Sequence, residues 1–327
     1  MTDFRPTASL EHLARRAALL REVRRFFDER GFLEVTTPLL SRDTVVDRHL
    51  EPFRVTVFAD PCQPSVGPSW FLQTSPEFHM KRLVAAGATA IYQVTQVFRA
   101  AEIGPCHNIE FTMLEWYRVG DDMRKGMDLL AEFVETVLET GPTDRLSYQQ
   151  AFEKYLRIDP FSASLPELQR VADDGPGSRP GGGPGGRAEP DDLLDWLLAE
   201  RITPLLGARR PTILFDFPEN QAALAKIRRG HVNRAERFEL FYRGVELANG
   251  YHELRWPDEL RQRIRQTNDL RRRDGKQELP SENRLLEAMD AGLPPCSGVA
   301  VGFDRLAMLV LSEEKLERVT AFGFRNA

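Results

Sequence analysis

The fold can be read most directly from the stretch AIYQVTQVFRAAEIGPCHNIEFTMLEWYR (residues 90–118). Its two outer parts, 90–99 and 109–118, are rich in β-branched and aromatic residues, as strands are. The linker between them contains Gly104 and Pro105, which interrupt regular structure. We therefore predict two antiparallel strands joined by an extended loop.

Helices and shorter strands are predicted on both sides of this hairpin. Ser9 precedes an apolar pattern with helical spacing that ends before Gly31, and FLEVTTP (32–38) then resembles a strand that Pro38 ends. Further strands are predicted at 53–58, 70–73, 212–217, 236–242 and 245–250, further helices at 76–84, 123–138, 191–200 and 257–273, and a final strand followed by a helix at 297–311. This order of elements indicates an α+β fold, with a mostly antiparallel sheet flanked by helices.

A segment of glycine and proline interrupts the chain. Ten of the twelve residues at 175–186 are Gly or Pro, which cannot specify a helix or a central strand. Candidate site residues lie on both sides of it. We therefore predict a flexible insertion at about 174–190 within a single domain that spans 1–327.

The composition excludes several classes of protein. Among 327 residues, 44 Lys and Arg stand against 49 Asp and Glu, so bulk charge does not favour binding to nucleic acid or to an anionic membrane. Three widely separated cysteines provide neither a disulfide framework nor a zinc motif. The N-terminus is charged, and Asp304 interrupts the most apolar late stretch, so we predict a cytoplasmic protein without a membrane span.

The first candidate site lies on the hairpin. Arg99, at the end of the first strand, suits a phosphate because guanidinium matches two phosphate oxygens. Alternation in the second strand places Glu115 and Tyr117 on one face, where they could recognise an amine. The alternative for Arg99 is an ordinary ion pair with an acidic residue of the neighbouring strand.

The second candidate site is VELANGYHE (245–253), which holds Glu246 and Glu253. Residues seven positions apart on a regular strand face opposite sides. We predict a bulge at Asn249-Gly250 that lets the two carboxylates converge, as a magnesium site requires. The alternative is two solvated glutamates on a hairpin.

Two further segments leave a functional and a structural interpretation open. In SGVAVGFDR (297–305), small residues allow a ligand to approach the backbone, and Arg305 begins a helix; ordinary strand–helix packing is the alternative. The helix at 257–273 is rich in arginine, and Arg271, Arg272 and Arg273 are predicted to dock an acidic protein. A solvated face is the alternative there.

Taken together, these segments resemble the catalytic domain of class II aminoacyl-tRNA synthetases of the lysyl type. The first helix with 32–38 is similar to the first motif of that family, which builds a dimer interface. The stretch 98–117 is similar to the second motif, and GVAVGFDR (298–305) to the third. TSPEFHMKRL (74–83) extends the resemblance, which covers nearly the whole chain.

The resemblance is more specific than the class. The first helix begins near residue 9, which leaves no room for the anticodon-binding barrel of lysyl-tRNA synthetases. The chain thus resembles the elongation factor P–(R)-β-lysine ligase family, which adenylates (R)-β-lysine and transfers it to a lysine of elongation factor P. This implies ATP and magnesium as cofactors, elongation factor P as the partner, a homodimer, and no tRNA anticodon contact.

The resemblance also implies roles for individual residues. Arg99 and Arg305 are the implied catalytic residues, and both bind ATP. The other implied ATP-binding positions are Ala101, Glu102, Asn108, Glu246, Leu247 and Gly302, and magnesium is assigned to Glu246 and Glu253. The implied substrate-binding residues are Ser75, Glu77, Glu115, Tyr117, Glu253 and Ala300. Ala300 stands where lysyl-tRNA synthetases carry glycine.

One position departs from the family pattern. The second motif has a glutamate two residues after its arginine, but this chain has Ala101 there and Glu102 one residue later. A slip of one residue reverses the face of a strand, and a lost nucleotide hydrogen bond costs about 1–3 kcal/mol. We therefore predict an active but weakened ligase. Two alternatives remain: an enzyme that activates L-lysine for another acceptor, and a synthetase-like dimer that binds without catalysis.

Overall fold

The structure is a computed structural model that describes residues 4–174 and 188–327. The Gly/Pro-rich insertion predicted at about 174–190 therefore lies almost entirely outside the described residues. The described parts of Met1–Asp121 and Leu254–Ala327 form one compact unit. The described parts of Asp122–Glu253 form a second. That the whole chain is a single domain stays a prediction.

The helices and strands follow one another along the chain with few long connections. The helices are α1 (Leu10–Asp28), α2 (Glu77–Ala85), α3 (Met123–Val137), α4 (Tyr148–Leu156), α5 (Leu165–Asp173), α6 (Pro190–Leu197), α7 (Pro257–Arg273), α8 (Arg284–Gly292) and α9 (Phe303–Leu311). The strands are β1 (Leu33–Glu34), β2 (Leu40–Ser41), β3 (Arg54–Thr56), β4 (Ser69–Leu72), β5 (Ala90–Phe98), β6 (Glu110–Val119), β7 (Asp144–Ser147), β8 (Thr212–Pro218), β9 (Ile227–Arg228), β10 (Arg234–Tyr242), β11 (Val245–His252) and β12 (Cys296–Gly302).

The first unit contains a sheet with the strand order β1-β5-β6-β12. Strand β1 is parallel to β5, and the other pairs are antiparallel. A smaller antiparallel sheet has the order β2-β4-β3. Phe27 of α1 packs on the larger sheet, with its ring centroid 4.7 Å from that of Tyr92 and 5.1 Å from that of Trp116. This aromatic core holds α1 against the hairpin.

The predicted hairpin is confirmed. Strands β5 and β6 pair without a break from Ala90 opposite Arg118 to Phe98 opposite Glu110. Helix α1 also begins as predicted, because the Ser9 hydroxyl accepts a hydrogen bond from the backbone N–H of His12 at 3.1 Å.

The strand predicted at 32–38 is shorter than expected. Only Leu33 and Glu34 form β1, and one further backbone bond joins the N–H of Val35 to the carbonyl of Tyr92 at 2.8 Å. Pro38 has no N–H to donate, so the ladder cannot continue through it. The residues after Val35 instead lead to β2.

The second unit has the strand order β11-β10-β8-β7, with β9 beside β10. Strands β7 and β8 are parallel, and the other pairs are antiparallel. Its core includes Tyr148 and Phe152 of α4, whose rings stack at 4.6 Å.

Both units confirm the predicted α+β class with a mostly antiparallel sheet. Among the described residues, no helix combines the length and the apolar composition that crossing a membrane requires.

Candidate active site

The end of β5 places Arg99 at the start of the loop between β5 and β6. Its guanidinium lies 5.1 Å from the ring centroid of Phe111, and its Nε donates to the carbonyl of Thr74 at 3.4 Å. Its Nη1 is 3.9 Å from Oε2 of Glu102. The nearest acidic partner thus belongs to the loop and not to the neighbouring strand, and the pair is too long for a hydrogen bond.

Ala101 explains how the one-residue shift in this motif is accommodated. Its φ is +66°, in the left-handed region that L-residues adopt only with strain. This turn of the backbone ends the alternation of β5, so Glu102 lies beside Arg99. The structure therefore brings Arg99 and Glu102 together, as expected if the loop bulges.

The same loop contacts Arg305 in the first turn of α9. Nη2 of Arg305 donates to Nε2 of His107 at 2.7 Å, and Nε donates to the carbonyl of Cys106 at 3.3 Å. A Cβ on Gly302 would stand 3.6 Å from Arg305 Cδ, so the arginine stem lies over this glycine. Asn108 is partly exposed in the same loop. The two predicted catalytic arginines thus contact opposite ends of one loop.

Asp304 fixes the start of α9, a role that was not predicted for this residue. One carboxylate oxygen accepts from the backbone N–H of Thr112 at 2.8 Å, and the other accepts from Nη2 of Arg16 at 2.5 Å. Asp304 is buried, so this three-way contact ties α9 to both β6 and α1. Arg305 is therefore carried by a rigid element, as a functional side chain requires.

A second group of polar side chains lies where α2 meets the middle of β6. Ser75 donates to Oε2 of Glu115 at 2.8 Å, and the Tyr117 hydroxyl donates to Oε1 of the same carboxylate at 2.6 Å. Glu77 pairs with Nζ of Lys81 at 2.5 Å. We call these five residues the carboxylate cluster. Four of them are predicted site residues, and the structure brings them together.

Lys81 is the member of the carboxylate cluster that the sequence analysis missed. It is buried, and its Nζ lies 6.0 Å from the ring centroid of Tyr117. The signal was present in the sequence, because Glu77 and Lys81 are four residues apart on one helix.

The electrostatics of the carboxylate cluster favour a cation. Glu115 is only 1% exposed, and its burial together with the charge of Glu77 raises its pKa to about 7. With Glu115 ionised, two carboxylates face one lysine. An added ammonium group would balance the excess charge and pair with a buried carboxylate.

Ala300 joins this site through the register of β12. It lies directly opposite Glu115, and Gly298 lies opposite Tyr117. Side chains of directly opposed residues share one face of the sheet. The side chains of Ala300 and Glu115 therefore lie on the same face of the sheet.

The raised pKa of Glu115 predicts a pH-dependent stability. Folding raises this pKa from 4.5 to about 7, so the stability from the neutral form is present below pH 4.5 and is lost by about pH 7. Relative to Glu115→Gln, which stays neutral, the wild type should lose roughly 3 kcal/mol of unfolding free energy over this range. Urea unfolding of both proteins from pH 4.5 to 8 measures the difference. Parallel profiles would contradict the assignment.

In the second unit, a bulge in β11 governs the placement of Glu246. Glu246 lies opposite Phe241 and Tyr251 lies opposite Arg237, so five residue steps on β11 match four on β10. The extra residue is Leu247, which is buried.

The bulge predicted at Asn249-Gly250 is therefore wrong in position. Asn249 pairs with Glu239 and Gly250 pairs with Phe238 in unbroken register. The bulge at Leu247 still resets the alternation, so by this register Glu246 and Glu253 fall on one face. Glu253 follows β11, forms a bridge with Ala225 and is buried.

Arg237 and Glu239 adjoin this face and were not predicted. Nη2 of Arg237 donates to Oε1 of Glu239, and both side chains are largely buried. Burial raises the pKa of Glu239, against the charge of Arg237, and the charge of Glu246 raises it further. The alternation in ERFELFY places both residues on one face, which is the signal that could have found them.

The arginine-rich helix α7 exposes fewer arginines for docking an acidic protein than the sequence suggests. Arg271 is fully buried, and Arg272 pairs with Asp269 and with Glu278. Arg271 therefore cannot contribute to the predicted docking surface, because a residue at this helical position faces the interior.

The fold and the two arginines on one loop are typical of a class II synthetase catalytic core. The profile of the family "tRNA synthetases class II (D, K and N)" matches residues 1–326. The chain is 46% identical over 324 residues to an elongation factor P–(R)-β-lysine ligase of Salmonella arizonae, covering 99% of this chain and 98% of that one. It is 45% identical over 330 residues to the ligase of the same name from Vibrio cholerae serotype O1, covering 100% and 99%. The chain therefore belongs to the elongation factor P–(R)-β-lysine ligase family.

Proposed function

We propose that the protein is an ATP-dependent ligase that joins (R)-β-lysine to a lysine side chain of elongation factor P. Family membership supports the reaction class, and the relatives carry this activity in their names. The observation that carries the proposal is the carboxylate cluster, in which Glu115 is buried and its pKa is raised to about 7. Ser75 and Tyr117 hold this carboxylate in place, and in its ionised form it is a suitable partner for an ammonium group.

The reaction balances in two steps. The carboxylate of (R)-β-lysine attacks the α-phosphorus of ATP, and pyrophosphate leaves. The neutral amine of the acceptor lysine then attacks the carbonyl of the adenylate, AMP leaves with the bonding electron pair, and the amine nitrogen releases one proton to solvent. Neither step needs a covalent enzyme intermediate, so positioning and charge neutralisation supply the catalysis.

Arg99 and Arg305 are proposed to neutralise the phosphates of ATP. A guanidinium is permanently charged and binds two oxygens at once. Glu102, Asn108, Gly302 and the backbone at Ala101 are proposed nucleotide contacts, which the placement of the β5–β6 loop supports. His107 is an added candidate, because it already holds Arg305 at 2.7 Å.

The carboxylate cluster is proposed to bind the ammonium groups of (R)-β-lysine. Ser75 and Tyr117 hold the Glu115 carboxylate from two sides, so its lone pairs are oriented before the ligand arrives. Ala300, opposite Glu115, is proposed to set the depth of the pocket. Glu253 is a further proposed substrate contact.

Magnesium is proposed at Glu246 and Glu253, with Leu247 as a nucleotide contact. Among the residues that the structure describes, no group of three or more His, Cys, Asp or Glu is placed to hold a metal ion. Two carboxylates on one face nevertheless fit this ion, which proteins hold through one or two carboxylates together with substrate phosphates. When bound, magnesium would neutralise phosphate charge.

A homodimer is proposed through the first helix and the segment after it. Leu10, Leu33 and Leu39 are exposed large apolar side chains in this part of the chain. Exposed apolar patches of this kind are typical of interaction surfaces. The cytoplasmic location and the absence of anticodon contact stay predictions.

ATP–pyrophosphate exchange tests the proposed function. We expect magnesium-dependent exchange with (R)-β-lysine that exceeds exchange with (S)-β-lysine, L-lysine or no amino acid. Transfer of labelled (R)-β-lysine to elongation factor P, but not to a variant without its acceptor lysine, completes the test.

Each alternative predicts a different outcome of this assay. A preference for L-lysine would favour an enzyme with another acceptor. No exchange with any amino acid, together with retained ligand binding, would favour a synthetase-like binding protein. Slow but specific exchange would agree with the weakened ligase that Ala101 predicts.

A further inference from the structure

We propose that the ion pair between the buried Arg271 and the partly exposed Glu51 is a positioning device for the β5–β6 loop and so for Arg99. Its catalytic part rests on the proposed function, whereas its structural part does not. Both residues belong to the first unit, and the proposed reaction uses neither of them.

Arg271 is 0% exposed, and its guanidinium donates hydrogen bonds to four acceptors. Its Nε donates to the carbonyl of Gln277 at 3.0 Å. Nη1 donates to the carbonyls of Asp47 at 2.8 Å and Leu50 at 3.2 Å. Nη2 donates to Oε2 of Glu51 at 2.7 Å. A planar guanidinium that makes four such contacts fixes the path of the segment 47–51.

Neighbours of Arg271 hold the earlier part of this segment, at Arg48. Arg48 pairs with Asp274 through two hydrogen bonds, at 2.8 Å and 3.2 Å. Nζ of Lys276 donates to the carbonyl of Arg48 at 2.6 Å. The C-terminal end of α7 and the residues after it therefore clamp 47–51 at several points.

The segment 47–51 contacts the β5–β6 loop at Ala100. The backbone carbonyl of Glu51 accepts a hydrogen bond from the N–H of Ala100 at 2.8 Å. Ala100 stands between Arg99 and the left-handed residue Ala101. The Glu51 carbonyl therefore anchors the chain where it leaves the strand.

This anchor matters because the loop is strained at the next residue. A left-handed alanine persists only where its surroundings hold the backbone in place. Without the bond to Glu51, the backbone at 100–101 can relax, and the side chain of Arg99 moves with it. Misplacing a catalytic group by about 1 Å can lower a rate about a hundredfold.

Glu51 is the residue to replace, because removing Arg271 would leave several buried carbonyls without a donor. Glu51→Ala deletes the side-chain contact, whereas Glu51→Gln keeps an oxygen that accepts from Arg271. Glu259→Ala is the matched control. Its carboxylate pairs with Arg263 of α7 at 2.5 Å, and the side chain of Glu259 is 31% exposed against 35% for Glu51.

Two measurements test the proposal. Glu51→Ala keeps the backbone carbonyl that accepts from Ala100 but loses the side-chain bond that ties residue 51 to Arg271. We therefore expect hydrogen exchange of the Ala100 amide to accelerate by about fivefold to tenfold, as the loss of one supporting hydrogen bond predicts. We expect kcat of ATP–pyrophosphate exchange to fall by about tenfold to a hundredfold. KM for (R)-β-lysine should stay within about twofold, because the carboxylate cluster is not part of the loop. Glu51→Gln and Glu259→Ala should resemble the wild type in all three quantities.

Several outcomes would overturn the proposal. Unchanged exchange at Ala100 in Glu51→Ala would show that the pair does not set the loop. Faster hydrogen exchange at Ala100 with an unchanged kcat would exclude a positioning role for the pair. Equal losses of kcat in Glu51→Ala and Glu259→Ala would show that the pair contributes only to general stability. An inactive wild type would defeat the proposed function, but exchange at Ala100 would still decide whether the pair anchors the loop.

Discussion

Arg99→Gln is expected to lower kcat of ATP–pyrophosphate exchange by about a hundredfold to a thousandfold, with a much smaller change in ATP affinity. As the carboxylate attacks the α-phosphorus and pyrophosphate leaves, the transition state redistributes negative charge over the oxygens of the α-phosphate. A guanidinium beside this phosphate stabilises the transition state more than the ground state, so its loss acts mainly on kcat. Steady-state exchange kinetics, together with calorimetric ATP binding, separate the two effects.

Arg118→Gln is a closely matched control at the other end of the same hairpin. Arg118 pairs with Asp121 three residues later, as Arg99 pairs with Glu102, and it lies over the ring of Phe32 as Arg99 lies over Phe111. Its loss should leave exchange kinetics within about twofold. Equal losses in both variants would indicate damage to the hairpin and not a catalytic role for Arg99.

The elements that the sequence predicts well are those with long periodic patterns. The hairpin β5–β6 and helix α7 extend over many residues, so their periodicity is clear. Strands such as β2 and β9 have two residues each and carry no such pattern. Helices α4 and α5 were missed although each begins with a capping box, after Ser147 and Ser164. That signal was present in the sequence.

The candidate site likewise has parts that the sequence predicts and parts that it does not. Alternation along β6 predicts that Glu115 and Tyr117 share a face, and the structure joins them at 2.6 Å. The bulge at Leu247 depends on the pairing of β11 with β10, and the left-handed turn at Ala101 follows a residue whose partner, Glu51, lies far along the chain. Arg271 is different, because its helical spacing from Leu260 and Ile264 places it on the buried face of α7, and that signal was present in the sequence.

Glu115→Gln is expected to weaken binding of (R)-β-lysine by about a hundredfold at pH 8, because removing one partner of a buried ion pair leaves the other uncompensated. The variant should not be less stable than the wild type at this pH, since it no longer buries an ionised carboxylate. Lost binding with retained or increased stability would distinguish a ligand-binding carboxylate from a structural one. Calorimetric titration and urea unfolding measure the two quantities.

The pH dependence of (R)-β-lysine binding tests whether Glu115 meets the ligand as a carboxylate. With the pKa of Glu115 raised to about 7, the free wild type has an ionised carboxylate at pH 8 and a largely protonated one at pH 6. Its affinity should therefore fall about tenfold between these values, while that of Glu115→Gln stays nearly constant. Glu110→Gln, at the exposed start of β6, is the control and should follow the wild type. A gap between wild type and Glu115→Gln that is as wide at pH 6 as at pH 8 would show that Glu115 does not meet the ammonium as a carboxylate.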